Sequence, residues 1–147
     1  MRRMYHQNTL YRMVYASRRT DPAGPDGFAA AAKLHNEAAE ITAALLFTDE
    51  SYAQVLEGTR DAVERAFERI ARDPRHDDVT VASFVPTERR RFADQALLLL
   101  PAEPDAYRFL FAGLRADPAL DRPRLTTGSD ILHVVEQLAL PMAGAPM

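Results

Sequence analysis

The chain has 147 residues, no cysteine and a formal net charge of −3 at pH 7, and hydrophobic residues make up 47% of it. This length suits one compact domain with a short extension, and the apolar content is sufficient for a packed core. The lack of cysteine excludes disulfides and thiolate sites, and the mildly acidic balance favours neither nucleic acid nor an anionic membrane as a partner. No apolar run approaches the roughly 20 residues of a membrane span. Residues 1–9 lack the apolar stretch of a secretion signal, so we expect a cytoplasmic protein with a flexible tail at 1–9.

The first predicted elements are a strand and a helix. Alternation over 10–17 predicts a strand that carries Tyr15 on one face, and the following apolar spacing predicts a helix over 28–39. The apolar stripe of that helix includes His35, with Asn36 at its border. A lone histidine in such a stripe is more often a packed core residue than a metal ligand. The other histidines show no ligand spacing, so the sequence predicts no metal site.

Two short apolar strands follow, at 41–48 and 51–57, joined by a polar turn. Alternation in the second strand puts Gln54 on the same face as Tyr52 and Leu56. A buried primary amide without hydrogen-bond partners costs about 2 kcal/mol or more. Because an amide both donates and accepts, Gln54 suits a ligand edge that carries mixed donors and acceptors.

The remaining segments predict more strands and helices. A capping box at 61–64 predicts the start of a second helix, which Asp73-Pro74 ends. The later predicted elements are strands at 79–85 and 91–100 and amphipathic helices at about 103–115 and 129–140, the last capped by Ser129 or Asp130.

The order βαββαβ, with a fifth strand appended, is typical of a ferredoxin-like sandwich. We therefore expect an α/β (α+β) fold with a five-stranded mixed sheet, two helices on one face and two C-terminal helices. This divides the chain into a domain at 10–101, a helical extension at 102–141 that packs on the sheet or on a partner, and a tail at 142–147.

Basic residues cluster in two places. Arg69 and His76 belong to a group at the end of the second helix, where cations interact favourably with the helix dipole. The run Arg89-Arg90-Arg91 is expected to be solvated, with phosphate binding as the alternative. No Gly-rich phosphate loop, G-x-S-x-G elbow or HExxH motif is present, so hydrolysis and nucleotidyl transfer have little support.

The polar residues Tyr15, Asn36 and Gln54 admit two interpretations. Each is common as a structural residue, namely a core aromatic, a helix-end amide and an edge amide. The first and third strands are, however, the central pair of a ferredoxin-like sheet, so Tyr15 and Gln54 would be neighbours across a ladder. The second interpretation is that the three line one binding cleft.

Taken together, these segments resemble the BLUF family of blue-light sensors that bind FAD. LYRMVYASR at 10–18 resembles the opening strand of the family, and HNEAAEITAALLF at 35–47 resembles its "NN…GITGLL" segment. SYAQVLEG at 51–58 resembles "…FLQVLEG", and 63–79 is similar to the second helix and its D-x-R-H turn. The resemblance runs almost without gaps from Leu10 to Leu99.

The resemblance implies non-covalent FAD, with Asn36 on the pyrimidine edge of the ring and Gln54 between the ring and Tyr15. Light would drive electron and proton transfer from Tyr15 to the flavin, and the Gln54 amide would then rearrange. The implied cofactor-binding residues are Tyr15, Asn36, Gln54, His35, Arg69 and His76, the last two near the flavin side chain or its phosphates.

Two departures from the family pattern stand out. The "GITG" of the family is Glu40-Ile-Thr-Ala43 here, so both glycines are replaced. The usual Trp-Ser-Met triplet of the fifth strand is Gln95-Ala96-Leu97, and the chain contains no tryptophan. These changes predict an altered signalling movement, in which the Gln95 amide competes for Gln54 or Tyr15.

The expected function is a stand-alone, non-enzymatic blue-light photoreceptor. Its output would pass through a downstream protein partner or a change in a homo-oligomer, a dimer or larger. Two alternatives stay open: a divergent BLUF-fold interaction module that has lost flavin, and an unrelated ferredoxin-like binder or enzyme. An enzyme would need an acid/base pair, for which His35 and Tyr15 are available.

Overall fold

The computed structural model describes residues 9–21, 25–103 and 127–143. Its elements are, in chain order, β1 (Leu10–Arg19), α1 (Asp26–Ala38), β2 (Thr42–Phe47), β3 (Ser51–Thr59), α2 (Arg60–Ala71), β4 (His76–Thr87), β5 (Leu98–Pro101) and α3 (Gly128–Ala143). The strands form one mixed sheet in the order β4-β1-β3-β2-β5, in which only the β2–β5 pair is parallel. The predicted ferredoxin-like α+β fold with five strands is confirmed. The expected helix at 103–115 and both expected tails lie outside the described residues, apart from their innermost positions.

Alternation along β1, β2 and β3 divides the core into two layers. The cleft face, which takes its name from the pocket described below, carries residues such as Met13, Tyr15, Leu45, Tyr52 and Leu56, and α1 and α2 pack against it. The opposite face, here the α3 face, packs on α3 through Ile131, Val135 and Ala139. Within the described residues, no helix is long and apolar enough to cross a membrane.

The α3 face shows why this segment of the extension packs on the sheet. Ile131 and Val135 are fully buried, and they meet residues of β1, β2 and β3. The N-terminus of α3 lies so close to β4 that a Cβ added at Gly128 would collide with the Ser83 side chain. The glycine permits this approach, and α3 packs on this face of the sheet.

The N-caps of α2 and α3 lie two or three residues before their predicted positions. Thr59 caps α2 by accepting the Ala62 N–H at 3.2 Å, so the 61–64 box lies inside the first turn. In α3, Thr127 Oγ1 accepts from the Asp130 N–H, and the Asp130 carboxylate accepts the Thr127 N–H. Each hydroxyl satisfies an otherwise unpaired N–H of the first turn. The cap of α3 is therefore Thr127, not Ser129 or Asp130.

The C-terminus of α1 ends in a Schellman motif built on a residue other than glycine. The Ile41 N–H donates to the Asn36 carbonyl at 2.8 Å, and the Glu40 N–H donates to the Glu37 carbonyl at 3.3 Å. Glu40 has φ 56°, the left-handed conformation that this motif requires and that glycine adopts most easily. The replaced family glycine at 40 therefore leaves a strained but hydrogen-bonded cap directly after Asn36.

The predicted fifth strand over 91–100 was wrong over residues 91–97, because β5 covers only Leu98–Pro101. The backbone N–H groups of Arg91 and Phe92 donate to the Glu57 carboxylate instead of to a neighbouring strand, at 2.8–3.0 Å. A turn then closes with the Gln95 N–H on the Phe92 carbonyl at 3.0 Å. The segment 88–97, here the β4–β5 loop, is therefore held by a carboxylate distant in sequence.

The arginine run at 89–91 is not simply solvated, because Arg90 makes contacts within the protein. Arg90 is partly buried, and its guanidinium donates to the Glu40 carbonyl at 2.7 Å and to the Glu57 carbonyl at 3.0 Å. Arg89 contributes its carbonyl to the Arg12 guanidinium at 3.1 Å. These contacts tie the β4–β5 loop to the ends of α1 and β3.

Candidate functional site

A cleft opens between α1 and α2 above the cleft face of the sheet. Its empty space is about 820 Å³, the open mouth included. The floor comes from β1, β2 and β3, and the walls come from the two helices. The lining residues are Tyr15, Ala31, Ala32, His35, Asn36, Leu45, Tyr52, Gln54, Arg69, Ile70, Asp73, Arg75 and His76. All six residues proposed from the sequence therefore line one cleft, although they come from five different elements.

Tyr15 and Gln54 form the polar centre of the floor. They are direct partners in the antiparallel β1–β3 ladder, and the Tyr15 hydroxyl donates to Gln54 Oε1 at 2.5 Å. Burial raises the pKa of Tyr15 far above its ordinary value, with smaller contributions from Tyr52 and Asp73. The phenol therefore keeps its proton throughout the physiological range. Within the described residues the Gln54 Nε2 has no protein partner, so it is available to a ligand.

Asn36 faces the same cleft from the last turn of α1 and is 3% exposed. Its backbone carbonyl is fixed by the Ile41 N–H of the helix cap, and its side-chain Nδ2 donates to the Ala96 carbonyl at 2.7 Å. Since that bond uses the nitrogen, Oδ1 is the atom left to accept from a ligand. Asn36 thus offers an acceptor where Gln54 offers a donor.

His76 lines the cleft, but both of its ring nitrogens already have protein partners. Nδ1 lies 2.7 Å from the Ser17 Oγ, and Nε2 lies 2.7 Å from the Ile70 carbonyl. A carbonyl can only accept, so Nε2 carries a proton and donates it. His76 therefore joins the end of α2 to β1, and its ring surface is what it presents to a ligand. The Tyr15 and Tyr52 rings approach it edge-on, with centroids 6.3 Å away.

The mouth of the cleft is basic and more open than the floor. Arg69 is exposed, and Arg75 is partly buried beside Asp73, with 3.3 Å between the charged groups. His35 is also exposed at this rim, so its expected place in the packed face of α1 was wrong. Among the described side chains of α1, Asn36 is the buried one, and the adjacent His35 is exposed.

Seven lining residues were not predicted as site residues, namely Ala31, Ala32, Leu45, Tyr52, Ile70, Asp73 and Arg75. Tyr52 shares a face with Gln54, and that alternation was the signal that pointed to it. Ile70 and Arg75 lie at the end of α2 and just beyond it, where the spacing from Arg69 gave a weaker indication. The cleft therefore has more apolar wall and more positive charge than the sequence motifs alone indicated.

The two departures from the family pattern lie beside the cleft, not in its lining. Ala43 is fully buried in the cluster beneath it, and its N–H donates to the Gln95 carbonyl at 2.9 Å. Gln95 belongs to the β4–β5 loop, where strand alternation does not apply. Its backbone is therefore tied to β2. Of residues 95–97, Ala96 accepts a hydrogen bond from the lining residue Asn36 through its carbonyl, and Leu97 belongs to the same buried cluster as Tyr15 and Tyr52.

Comparison with known proteins supports one family. The sequence profile described as "Sensors of blue-light using FAD" (BLUF) matches residues 10–97. The photoactivated adenylate cyclase subunit beta of Euglena gracilis is 34% identical over 98 residues, which are 65% of this chain and 11% of that protein. The chain thus spans about a tenth of the length of the curated relatives that it matches.

Solved structures agree with the sequence match. The dark-state structure of BlrB, a BLUF protein, superposes with a TM-score of 0.68 at 26% identity, covering 91% of this chain and 98% of that chain. Klebsiella pneumoniae BlrP1, in a manganese and cyclic-diGMP complex, superposes with a TM-score of 0.58 at 34% identity, covering 63% of this chain and 24% of that chain. The matched unit is sensory and not catalytic. From its profile match, its fold and its cleft, the chain belongs to the BLUF family of blue-light sensors.

Proposed function

We propose that this chain is a blue-light photoreceptor that binds FAD non-covalently in the cleft between α1 and α2. The observation that carries the proposal is the buried hydrogen bond from the Tyr15 hydroxyl to Gln54 Oε1 at the cleft floor. Membership of the BLUF family supports flavin as the ligand. Asn36 lines the same cleft, with its amide oxygen left to accept a hydrogen bond.

The cleft matches a flavin in three respects. Ala31, Ala32 and Ile70 give apolar walls for a flat ring. Gln54 Nε2 and Asn36 Oδ1 supply one donor and one acceptor, which complement the neighbouring carbonyl and N–H groups of a pyrimidine edge. A ring with this edge gives each of the two buried amides a hydrogen-bond partner, which buried polar groups require.

The basic mouth supports FAD over a shorter flavin. A second recess of about 450 Å³, open space included, adjoins the cleft and is lined by Arg69, Arg72, Asp73, Pro74 and Arg75. Guanidinium groups bind phosphate oxygens through charge-assisted hydrogen bonds. A pyrophosphate that left the cleft here would meet positive charge. Riboflavin has no phosphate and would make no contact of this kind with the arginines.

The floor residues account for a light response. A bound flavin would supply the light absorption and would be the acceptor for an electron and a proton from Tyr15. Tyr15 holds its proton at the hydroxyl oxygen, directed at Gln54, because burial raises its pKa. Gln54 can rotate its amide and exchange Oε1 for Nε2, which reverses what it offers to Tyr15 and to the ring. A carboxylate or a hydroxyl at position 54 could not make this exchange.

The output would travel from the cleft to the opposite side of the sheet. The Ala96 carbonyl connects Asn36 to the β4–β5 loop, and Arg91 of that loop pairs with Glu136 of α3 at 3.4 Å. A change in the loop would thus reach α3. We propose that α3 passes it to a downstream protein partner or to a second copy of the chain in a homo-oligomer.

Flavin titration of the purified protein tests the proposal. We expect binding of FAD, weaker binding of FMN and the weakest binding of riboflavin. Arg69→Gln should weaken FAD binding by about tenfold, the effect of losing one charge-assisted hydrogen bond. Arg65→Gln, on the same helix but outside the cleft, is the matched control. A folded protein that binds none of the three flavins would contradict the proposal and support the interaction-module alternative.

A further inference from the structure

Glu57 is the most deeply buried charged side chain in the described part of the molecule, with 0% exposure. It lies at the end of β3, three residues beyond Gln54, with its side chain on the side of the sheet that faces away from the cleft. Its carboxylate accepts from the Arg12 guanidinium at 2.9 Å and from the N–H groups of Arg91 and Phe92. The Thr42 hydroxyl lies 3.4 Å from it. A carboxylate with this many donors is satisfied despite its burial, and it fixes the start of the β4–β5 loop.

Arg90, the neighbour of Arg91, connects the same part of the loop to the cap of α1. One terminal nitrogen donates to the Glu40 carbonyl at 2.7 Å, and the other donates to the Thr42 hydroxyl and the Glu57 carbonyl, both at 3.0 Å. Glu40 is the left-handed residue of the α1 cap. Arg90 therefore connects the cap of α1 to β2 and β3 through a single planar group, which holds several acceptors in a fixed geometry.

These two sets of contacts converge on Asn36. The backbone of Asn36 is bonded by Ile41, the residue after Glu40, and its side chain is bonded by Ala96 of the β4–β5 loop. Arg90 thus acts on the helix end that carries Asn36, and Glu57 acts on the loop that carries its hydrogen-bond acceptor. Neither Glu57 nor Arg90 lines the cleft.

We propose that Glu57 and Arg90 are positioning residues that fix the orientation of the Asn36 amide toward the cleft. With Ala96 held in place, Nδ2 is committed to its carbonyl and Oδ1 faces the ligand. When the loop or the helix end shifts, that bond weakens and the amide is free to turn, which would present a donor where the ligand needs an acceptor. The consequence for a flavin rests on the proposed function, whereas the orientation itself is a property of the ligand-free chain.

The first test uses ligand-free, ¹⁵N-labelled protein and the side-chain NH₂ signal of Asn36. Glu57→Gln keeps the shape but puts an amide donor opposite either the Arg12 guanidinium or the backbone N–H groups, and Arg90→Met keeps the apolar stem but removes the guanidinium. Each should move the Asn36 signal and speed its hydrogen exchange by about tenfold, the effect of losing one hydrogen bond. Glu64→Gln and Arg65→Met, at exposed ion pairs of α2, should leave the signal unchanged.

The second test uses the flavin-loaded protein. Both cleft-remote variants should shift the blue absorption maximum and weaken FAD binding, and the two α2 controls should do neither. If Glu57→Gln does not fold, the proposal is tested with Arg90→Met and with the double variant Arg12→Met/Glu57→Gln, which removes both charges of the buried ion pair. Folded variants with an unchanged Asn36 signal and exchange rate would overturn the proposal. If the wild-type protein bound no flavin, the proposed function would fail. The ligand-free measurement would still decide whether Glu57 and Arg90 position Asn36.

Discussion

Tyr15 and Gln54 are paired twice, once by the backbone ladder of β1 and β3 and once by the hydroxyl-to-amide bond of 2.5 Å between their side chains. The ladder sets the distance and the shared face, so the side-chain bond forms without any loop rearrangement. Both residues are less than a tenth exposed. A slip of one residue in this register would put the two side chains on opposite faces of the sheet and remove the site.

Tyr15→Phe deletes only the hydroxyl of this pair. We expect a loss of about 1 kcal/mol in the free energy of unfolding, because Gln54 Oε1 loses its partner. Flavin should still bind, while the light-induced absorption change should disappear. Urea unfolding and light-minus-dark spectra measure the two effects. Tyr11→Phe, on the same strand but outside the cleft, should retain the light response, and a light response retained in Tyr15→Phe would assign no photochemical role to Tyr15.

The raised pKa of Tyr15 makes a prediction about alkaline pH. Its contribution to stability is fully present below pH of about 10, the unfolded value, and is lost as pH rises toward the higher folded pKa. The free energy of unfolding should therefore fall above that pH by about 1.4 kcal/mol per pH unit. Tyr15→Phe should lack this component. If the free energies of unfolding of the two proteins fell equally with pH above pH 10, the pKa of Tyr15 would not be raised.

Glu40→Gly should stabilise the protein. Glu40 has φ 56°, and the left-handed conformation costs a residue other than glycine about 1 kcal/mol or more. Part of this gain is offset by the greater freedom of glycine in the unfolded chain, so we expect a net increase of about 0.5 kcal/mol in the free energy of unfolding. Glu37→Gly, three residues earlier within the helix, should instead lower it by about 1 kcal/mol. Equal losses from both changes would mean that the cap conformation carries no strain.

The packing of α3 on the sheet can be tested with a matched pair of truncations. Ile131→Ala removes a fully buried side chain from the α3 face and should cost about 3 kcal/mol. Leu140→Ala changes a side chain that is 63% exposed, and it should change the free energy of unfolding by less than about 0.5 kcal/mol. Chains that end at residue 126 should associate, since the apolar α3 face would be uncovered. A monomeric truncated chain with wild-type stability would show that α3 is dispensable.

The elements that could be predicted from the sequence are those with local causes. The alternation in β3 predicted the face of Gln54, and the β1–β3 pairing followed from the order of elements. Asn36 was less certain, because periodicity put it at a stripe border and put His35 at the centre. In the structure Asn36 is buried and bonds to Ala96, whereas His35 is exposed.

The β4–β5 loop could not be predicted in this way. The residues from Leu97 to Leu100 are typical of a strand. The alternation before them predicted that this strand begins at Arg91. The backbone donors at Arg91 and Phe92 are instead satisfied by Glu57, a partner more than thirty residues away that no local pattern indicates. The same contact explains why the acidic residue of QVLEG, noted only as part of a motif, has a structural role.

The most direct test of the account is the absorption spectrum of the purified, FAD-loaded protein before and after blue light, recorded beside Gln54→Leu. The account predicts a yellow wild-type protein whose blue band shifts reversibly to longer wavelength, and a Gln54→Leu protein that binds FAD but shows no shift. A wild-type protein that stays colourless after refolding with excess FAD, or a Gln54→Leu protein that shifts as the wild type does, would contradict it.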